Sequence, residues 1–375
     1  MVSARGTKIQ RNLRRVVCAG AVAVAAGGGL SACSAPLSAT QGANPSPQAQ
    51  ASNSSNSHAL TAGRARTAGK HSQATFGLAT QIPDWLTSPV AQGLRAHLNV
   101  TEARLVVPYD VLNPGATWRY GCNTNPDCQP VRLRTWVTTA ESAGFRPFLV
   151  LGPSEVSSHA PSVSSYTASF KRMVEAFPSV HKWGAWNEPD TSSNPTRHRP
   201  KLAADYWIAG HRALSDLNRP DQLVAGEFSV INRAAVQPRG YFSQYKKEIE
   251  RQGLEPYVWS FHAYTDVIER STRETRLFLS VTPSWTSVDL TEEGVLLHPY
   301  GVVDGRAGLQ RQAARTFLRL ASLSPRIIGA DYYQALPKPG GWDTSLVDQK
   351  GRYRPAYCVL TRLPASNCTG SSLAQ

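Results

Sequence analysis

Eight short apolar runs, separated by longer stretches of helical patterning, constrain this chain more than any other feature. The runs are Thr75 to Ala79, Ala103 to Pro108, Arg146 to Leu151, His181 to Asn187, Leu223 to Glu227, Val258 to His262, Ser287 to Glu292 and Arg326 to Tyr332. Strand-like runs that alternate with amphipathic stretches are the signature of βαβ units and a parallel sheet. Pro200 to Leu217 reads as a helix opened by proline in its first turn, with Leu202, Tyr206, Ala209 and Leu214 on one face. Leu309 to Leu320 repeats the pattern through Leu309, Ala313, Phe317 and Leu320. Eight such pairs favour an α/β fold closed into a (β/α)8 barrel, which needs roughly 250 residues. The open, doubly wound alternative lacks its expected mark, since no G-x-G-x-x-G follows the first run.

The remaining length lies at the N-terminus and divides into two parts. Arg5, Lys8, Arg11, Arg14 and Arg15 form a positive region, and Val16 to Leu30 form a short Ala- and Gly-rich apolar run, as in an export signal. That run is too short to read as a membrane-spanning helix. Leu30-Ser31-Ala32-Cys33 then has the form of a bacterial lipobox, which makes Cys33 the expected lipidation site and the membrane an expected partner. A plain secretory signal with an incidental cysteine is the alternative. Residues 34 to 74 are Ser, Ala, Gln, Asn, Thr, Gly and Pro with almost nothing large to bury, the composition of a flexible tether. The expected organisation is therefore signal peptide 1–33, linker 34–74 and catalytic domain 75–375, as a monomer outside the cytoplasm.

Net charge is +14, which first suggests a nucleic-acid partner. Its location argues otherwise. Eight of the 40 Lys and Arg fall in residues 1–74 with no acid, leaving 32 against all 26 Asp and Glu, a surplus of only 6. No basic block interleaved with aromatics follows, so nucleic acid is not expected to bind.

Beyond Cys18 and Cys33, four cysteines remain: Cys122, Cys128, Cys358 and Cys368. In an oxidising compartment four cysteines favour two disulfides, with three pairings open. The preferred pairing is Cys122 with Cys128 and Cys358 with Cys368. A zinc site is the rival reading, but there is no C-x2-C spacing and no His pair at helical spacing. Neither metal nor cofactor is expected.

Chemistry enters through two motifs, Trp186-Asn187-Glu188-Pro189-Asp190 and Thr291-Glu292-Glu293-Gly294. Each sets a carboxylate at the end of an expected strand, where barrels of this kind place their reactive side chains. Two carboxylates facing each other are what hydrolysis of a glycosidic bond requires: one protonates the leaving oxygen, and the other attacks the sugar or activates water. His262-Ala263-Tyr264 ends the sixth run, Arg104 lies in the second, and Tyr332-Tyr333 ends the eighth. Nine Trp and thirteen Tyr supply surface of the kind that sugar faces pack against.

Taken in order, these motifs resemble those of the clan A glycoside hydrolases, (β/α)8 retaining enzymes with xylosidase-like and cellulase-like members. Trp186-Asn187-Glu188-Pro189 is similar to their strand-four motif, Thr291-Glu292-Glu293-Gly294 to their T-E-x-G, and His262-x-Tyr264 to their H-x-Y. Gly341-Trp342-Asp343 and Arg354-Pro355-Ala356-Tyr357 resemble closing segments of xylosidase-like members. The resemblance implies Glu188 as acid/base and Glu292 as nucleophile, acting on a poly- or oligosaccharide, here expected to be β-linked. It also implies substrate-side roles for Asn187, Arg104, His262, Tyr264, Tyr332 and Trp342. Tyr332 stands where many relatives carry a Trp beneath the sugar, and Trp342 is a second stacking candidate.

Several alternatives stay open on the sequence. Glu293 competes with Glu292 as nucleophile, although adjacent strand residues face opposite ways, and Asp289 is a more distant candidate. His262 also reads as an ordinary buried histidine and Trp342 as core. A carbohydrate-binding surface lipoprotein without turnover and a metal-dependent barrel hydrolase are the competing function classes.

Overall fold

The computed structural model describes residues 74–80, 82–118, 129–297, 307–337 and 343–370. Cys33, Cys122, Cys128 and Trp342, together with the expected signal and all but the last residue of the expected tether, lie outside these. Eight parallel strands close into a barrel in sequence order. They are β1 (Thr75–Ala79), β2 (Val100–Pro108), β3 (Arg146–Gly152), β4 (Lys182–Gly184), β5 (Gln222–Phe228), β6 (Val258–Phe261), β7 (Ser287–Glu293) and β8 (Ile327–Tyr333). Closure is made by β1 on β8, with Thr75 opposite Gly329 and Ala79 opposite Tyr333.

Helices cover the outside: α1 (Pro83–Leu86), α2 (Pro89–Leu98), α3 (Gln129–Ser142), α4 (Val163–Ala176), α5 (Pro200–Asp216), α6 (Tyr241–Arg251), α7 (Tyr264–Glu269), α8 (Arg273–Val281), α9 (Ala307–Ala321) and α10 (Pro355–Thr361). Pro200 does open α5, which buries Tyr206, Ala209 and Leu214 with Ala203, Trp207 and Ala213, while Leu202 is only partly covered. In α9, Ala313, Phe317 and Leu320 are buried and Leu309 is at the margin. Among the described residues no helix is long and apolar enough to cross a membrane.

The strands read as apolar runs because helices cover their outer face and side chains fill the inner one. The barrel interior, however, is substantially charged. Lys182 on β4 bonds to Glu102 on β2 at 2.5 Å and to Asp289 on β7 at 2.6 Å, beside Asp331 on β8. Small residues make the room: a Cβ on Gly77 would lie 2.0 Å from Asp331 Oδ1, and one on Gly329 would lie 2.2 Å from Asp289 Oδ1. The Lys182 ammonium also sits over the Phe148 ring at 4.3 Å.

The fourth strand is shorter than the sequence suggests. It ends at Gly184, and the chain then turns through Ala185 to Asp190 while still bonding its neighbours, Asn187 N–H to Leu151 O at 2.7 Å and Glu188 N–H to Glu227 O at 3.0 Å. At the C-terminal end, Cys358 in α10 is disulfide-bonded to Cys368, the pairing preferred from the sequence.

Candidate active site

Arg104 is the centre of the barrel mouth. It is buried, and its guanidinium forks to three strands. Nη1 donates to Glu292 Oε2 at 2.6 Å, and Nη2 donates to Asn187 Oδ1 at 2.7 Å and to Glu227. A rigid fork of this shape holds several acceptors at fixed relative positions, as a single ammonium does not. Burial opposes its charge, but Glu227 and then Glu292 outweigh that cost and raise its already high pKa.

Glu292 and Glu188 are the carboxylates that open toward solvent, with side-chain exposures of 14% and 29% against 0% for Glu227. Tyr264 donates its hydroxyl to Glu292 Oε1 at 3.1 Å. His262 is wholly buried and sits between two carboxylates, with Nδ1 at 3.0 Å from Glu188 Oε1 and Nε2 at 3.4 Å from Glu227 Oε2. A carboxylate oxygen of Glu188, a ring nitrogen of His262 and a carboxylate oxygen of Glu292 all lie within 4.8 Å of one another. The two sequence motifs therefore converge on one small volume, with Asn187, Arg104, His262 and Tyr264 around it.

The electrostatics follow from this packing. Burial works against a charged His262, yet Glu292 and the hydrogen bonds to Glu188 and Glu227 push its pKa up to about 10. Burial likewise works against ionised Glu227, and Arg104 beside it holds the carboxyl well below the usual range. Burial and then the charge of Glu292 drive the Tyr264 phenol well upward, so it stays a donor.

Two neighbours of Glu292 separate from the site. Glu293 is fully buried, neither of its oxygens has a hydrogen-bond partner among the described residues, and burial followed by Asp266 drives its carboxyl well upward. Asp289 lies on the floor, paired with Lys182.

Tyr332 is a correction. It was expected beneath the sugar, but its ring turns outward against Phe317 of α9, with centroids 5.5 Å apart, and its hydroxyl donates to Thr344 O at 2.9 Å. It is 1% exposed and belongs to the helix–strand core. The register between β7 and β8 shifts twice before the rim, and a one-residue shift exchanges the faces of a strand. Tyr333 instead packs with Tyr264, Ile268, Leu296 and Ala79 at the mouth side.

Glu227 is the principal site residue that the motifs did not disclose. Its signal was present: Leu223-Val-Ala-Gly-Glu-Phe-Ser229 puts one carboxylate into an otherwise apolar run, just after a glycine. Ser260 supports it, donating to Glu227 Oε1 at 3.1 Å and accepting the Glu227 N–H at 2.8 Å. Asp190 ties the Glu188 turn to the next loop by accepting from Ser229 N–H at 2.9 Å and Val230 N–H at 3.1 Å. Burial pushes the Asp190 carboxyl up to about 6 against those bonds. Trp186 anchors the same turn from below, donating to Asn194 Oδ1 at 2.8 Å and packing on Tyr206 with centroids 4.7 Å apart.

No protein-family profile matches this chain, and no curated protein matches it by sequence. Solved structures do match in shape. A GH39 β-xylosidase from Caulobacter crescentus superposes with a TM-score of 0.57 at 14% identity, over 78% of this chain and 71% of that one. The GH39 enzyme from Xanthomonas axonopodis pv. citri gives 0.56 at 14%, covering 78% and 66%. An intracellular xylanase from Thermoanaerobacterium saccharolyticum gives 0.52 at 14%, covering 77% and 95%. At such identities the likeness establishes a shared fold: the chain has the (β/α)8 barrel found in these glycosidases.

Proposed function

We propose that this protein is a retaining glycoside hydrolase acting on β-linked poly- or oligosaccharides, with Glu188 as acid/base and Glu292 as nucleophile. The observation that carries the reading is the approach of the two solvent-facing carboxylates, with one oxygen of each within 4.8 Å. Retaining enzymes hold their carboxyl groups about 5–5.5 Å apart, whereas inverting ones leave roughly 6.5–9.5 Å for a water. In the first step Glu188 protonates the leaving oxygen while Glu292 attacks the anomeric carbon. In the second, Glu188 takes a proton from water, which displaces Glu292. Arg104 and Tyr264 donate to Glu292 and hold it aimed. Because Asn187 accepts from Arg104 through Oδ1, its amide NH2 is turned to serve as donor to a sugar 2-hydroxyl. The matched structures named for xylosidase and xylanase activity favour β-xylosides as the first substrates to try. Export and lipid anchoring through Cys33 belong to the same proposal and rest on the sequence alone.

The test is kinetic and stereochemical. Screened against aryl β-glycosides and β-linked polysaccharides, the full chain should release sugar, and Glu188→Gln should lower turnover of substrates with poor leaving groups by at least about a hundredfold. Azide added to Glu292→Ala should restore product as a glycosyl azide of inverted anomeric configuration. Release of sugar that survives both substitutions would reject the assignment, and absence of turnover in the wild type would favour a binding protein.

A further inference from the structure

We propose that Glu227 is a positioning residue that keeps His262 charged, so that the imidazolium balances the Glu188 carboxylate formed each time the acid/base proton is given up. The inference rests on the glycosidase reading and deepens it. Glu227 is fully buried, so it cannot touch a sugar; whatever it does, it does through Arg104, His262 and Ser260.

Backbone geometry marks the same residue. Six described residues other than glycine have positive φ. Asn99, Asn218, Arg270 and Arg362 sit at or just past helix C-termini, where the left-handed region is routine. Glu188 (φ 44°) and Glu227 (φ 56°) do not; Glu188 lies in the turn beyond β4 and Glu227 near the end of β5, and they are hydrogen-bonded to each other, Glu188 N–H to Glu227 O. A non-glycine residue held there costs on the order of 1–2 kcal/mol and persists where the surroundings fix it, commonly at functional sites.

Charge explains the arrangement. The groups facing His262 are Glu188 beyond β4, Glu227 on β5, Arg104 on β2, and Glu292 and Glu293 on β7. Burial drives the Glu293 carboxyl well upward, which favours its uncharged form. With Glu188 protonated, Arg104 and an imidazolium balance Glu227 and Glu292, and the set is neutral. The Arg104 Nη2 to His262 Nε2 distance is 3.4 Å, and two cations that close need the Glu227 oxygen that faces both. Replace Glu227 by a neutral amide and the guanidinium faces Nε2 unopposed, which favours a bare ring nitrogen as acceptor. His262 would keep its Nδ1 bond to Glu188 but lose the charge that balances the Glu188 carboxylate.

The proton count closes over both half-reactions. As the glycosidic C–O bond breaks, its electron pair goes to the leaving oxygen, which takes the proton from the outer Glu188 oxygen. His262 Nδ1 keeps its proton and donates it across 3.0 Å to Glu188 Oε1, balancing the carboxylate that this step leaves, and Glu292 bonds to the anomeric carbon. In the return step the outer Glu188 oxygen takes a proton from water, the water oxygen bonds to the anomeric carbon, and Glu292 leaves.

The experiment uses the full chain labelled with 15N-histidine, with His262 assigned by its loss in His262→Gln. At about pH 8, above the ordinary histidine range, wild-type His262 should show both ring nitrogens protonated, and Glu227→Gln should show one bare. In turnover of an aryl β-glycoside, the alkaline limb of kcat/KM should rise by at least about one pH unit in Glu227→Gln, because loss of the neighbouring cation makes the Glu188 proton harder to remove. A uniform loss of kcat with the limb unmoved would mean a merely structural role and overturn the proposal. Ser260→Ala, which removes one bond to Glu227 but leaves its charge, should shift the limb the same way by less, and it decides the matter if Glu227→Gln fails to fold. A neutral wild-type His262 at that pH in an active enzyme overturns the role of Glu227 alone. A charged His262 in a protein that cleaves no glycoside overturns the glycosidase reading, and that role with it.

Discussion

Arg104 shows how one residue couples stability to chemistry. Its buried guanidinium neutralises Glu227 and reaches Glu292, so truncation leaves a desolvated carboxylate without its partner. Breaking a buried pair from one side typically costs about 3–5 kcal/mol, and Arg104→Ala should show that loss in urea unfolding at neutral pH. Arg104→Lys retains the charge but not the fork; it should unfold closer to the wild type and still lose at least about tenfold in kcat, because Glu292 and Asn187 are no longer held together. Legibility at this scale was uneven. Arg104, His262 and Tyr264 could be named from motifs and strand ends, whereas Glu227 sat in an apolar run with no motif around it.

At the scale of elements, the corner between α7 and α8 carries a testable conflict. Asp266 accepts the N–H groups of Glu274 at 3.2 Å and Thr275 at 2.8 Å, capping the start of α8 from a distance. An acid in a first helical turn normally gains about 0.3–1 kcal/mol from the helix dipole. Here burial, then the charge of Asp266, override that gain and push Glu274 up to about 8 from its ordinary 4.5. A carboxyl raised on folding favours the folded state below its unfolded value, and this contribution is lost as pH rises through about 8. Glu274→Gln should therefore be more stable than the wild type at pH 8 by about 1–3 kcal/mol, with the difference vanishing near pH 4. Urea midpoints at the two pH values check this; an equal difference at both would refute it. The strands themselves were legible because burial on both faces left continuous apolar runs. The end of β4 was not, since the turn after Gly184 is fixed by side-chain bonds from Asn194 and Asp190 rather than by any local breaker before Pro189.

For the whole molecule, the chain closes twice, once through β1 on β8 and once through Cys358–Cys368 near its end. The disulfide spans a sequence separation of 10, and a loop of that size restricts the unfolded chain by about 2–3 kcal/mol. Replacing both cysteines with Ala should lower stability by that amount in thermal unfolding, while kcat on any accepted glycoside stays within about twofold, because α10 lies on the outer layer. Loss of turnover without loss of stability would contradict this placement.

What the sequence determined by itself was the periodicity of burial and the identity of the strand-end residues. Those suffice for the barrel, for its order, and for placing Glu188 just beyond the fourth strand and Glu292 at the end of the seventh. Only the tertiary structure decided which way the rim side chains face and how charge is shared among them. Tyr332 turned to the helices and Glu227 turned into the mouth because register shifts and barrel closure, both set by long-range pairing, choose the face that each residue presents. A charged His262 is likewise written in no single segment, since Arg104, Glu188, Glu227 and Glu292 come to it from four separate parts of the chain.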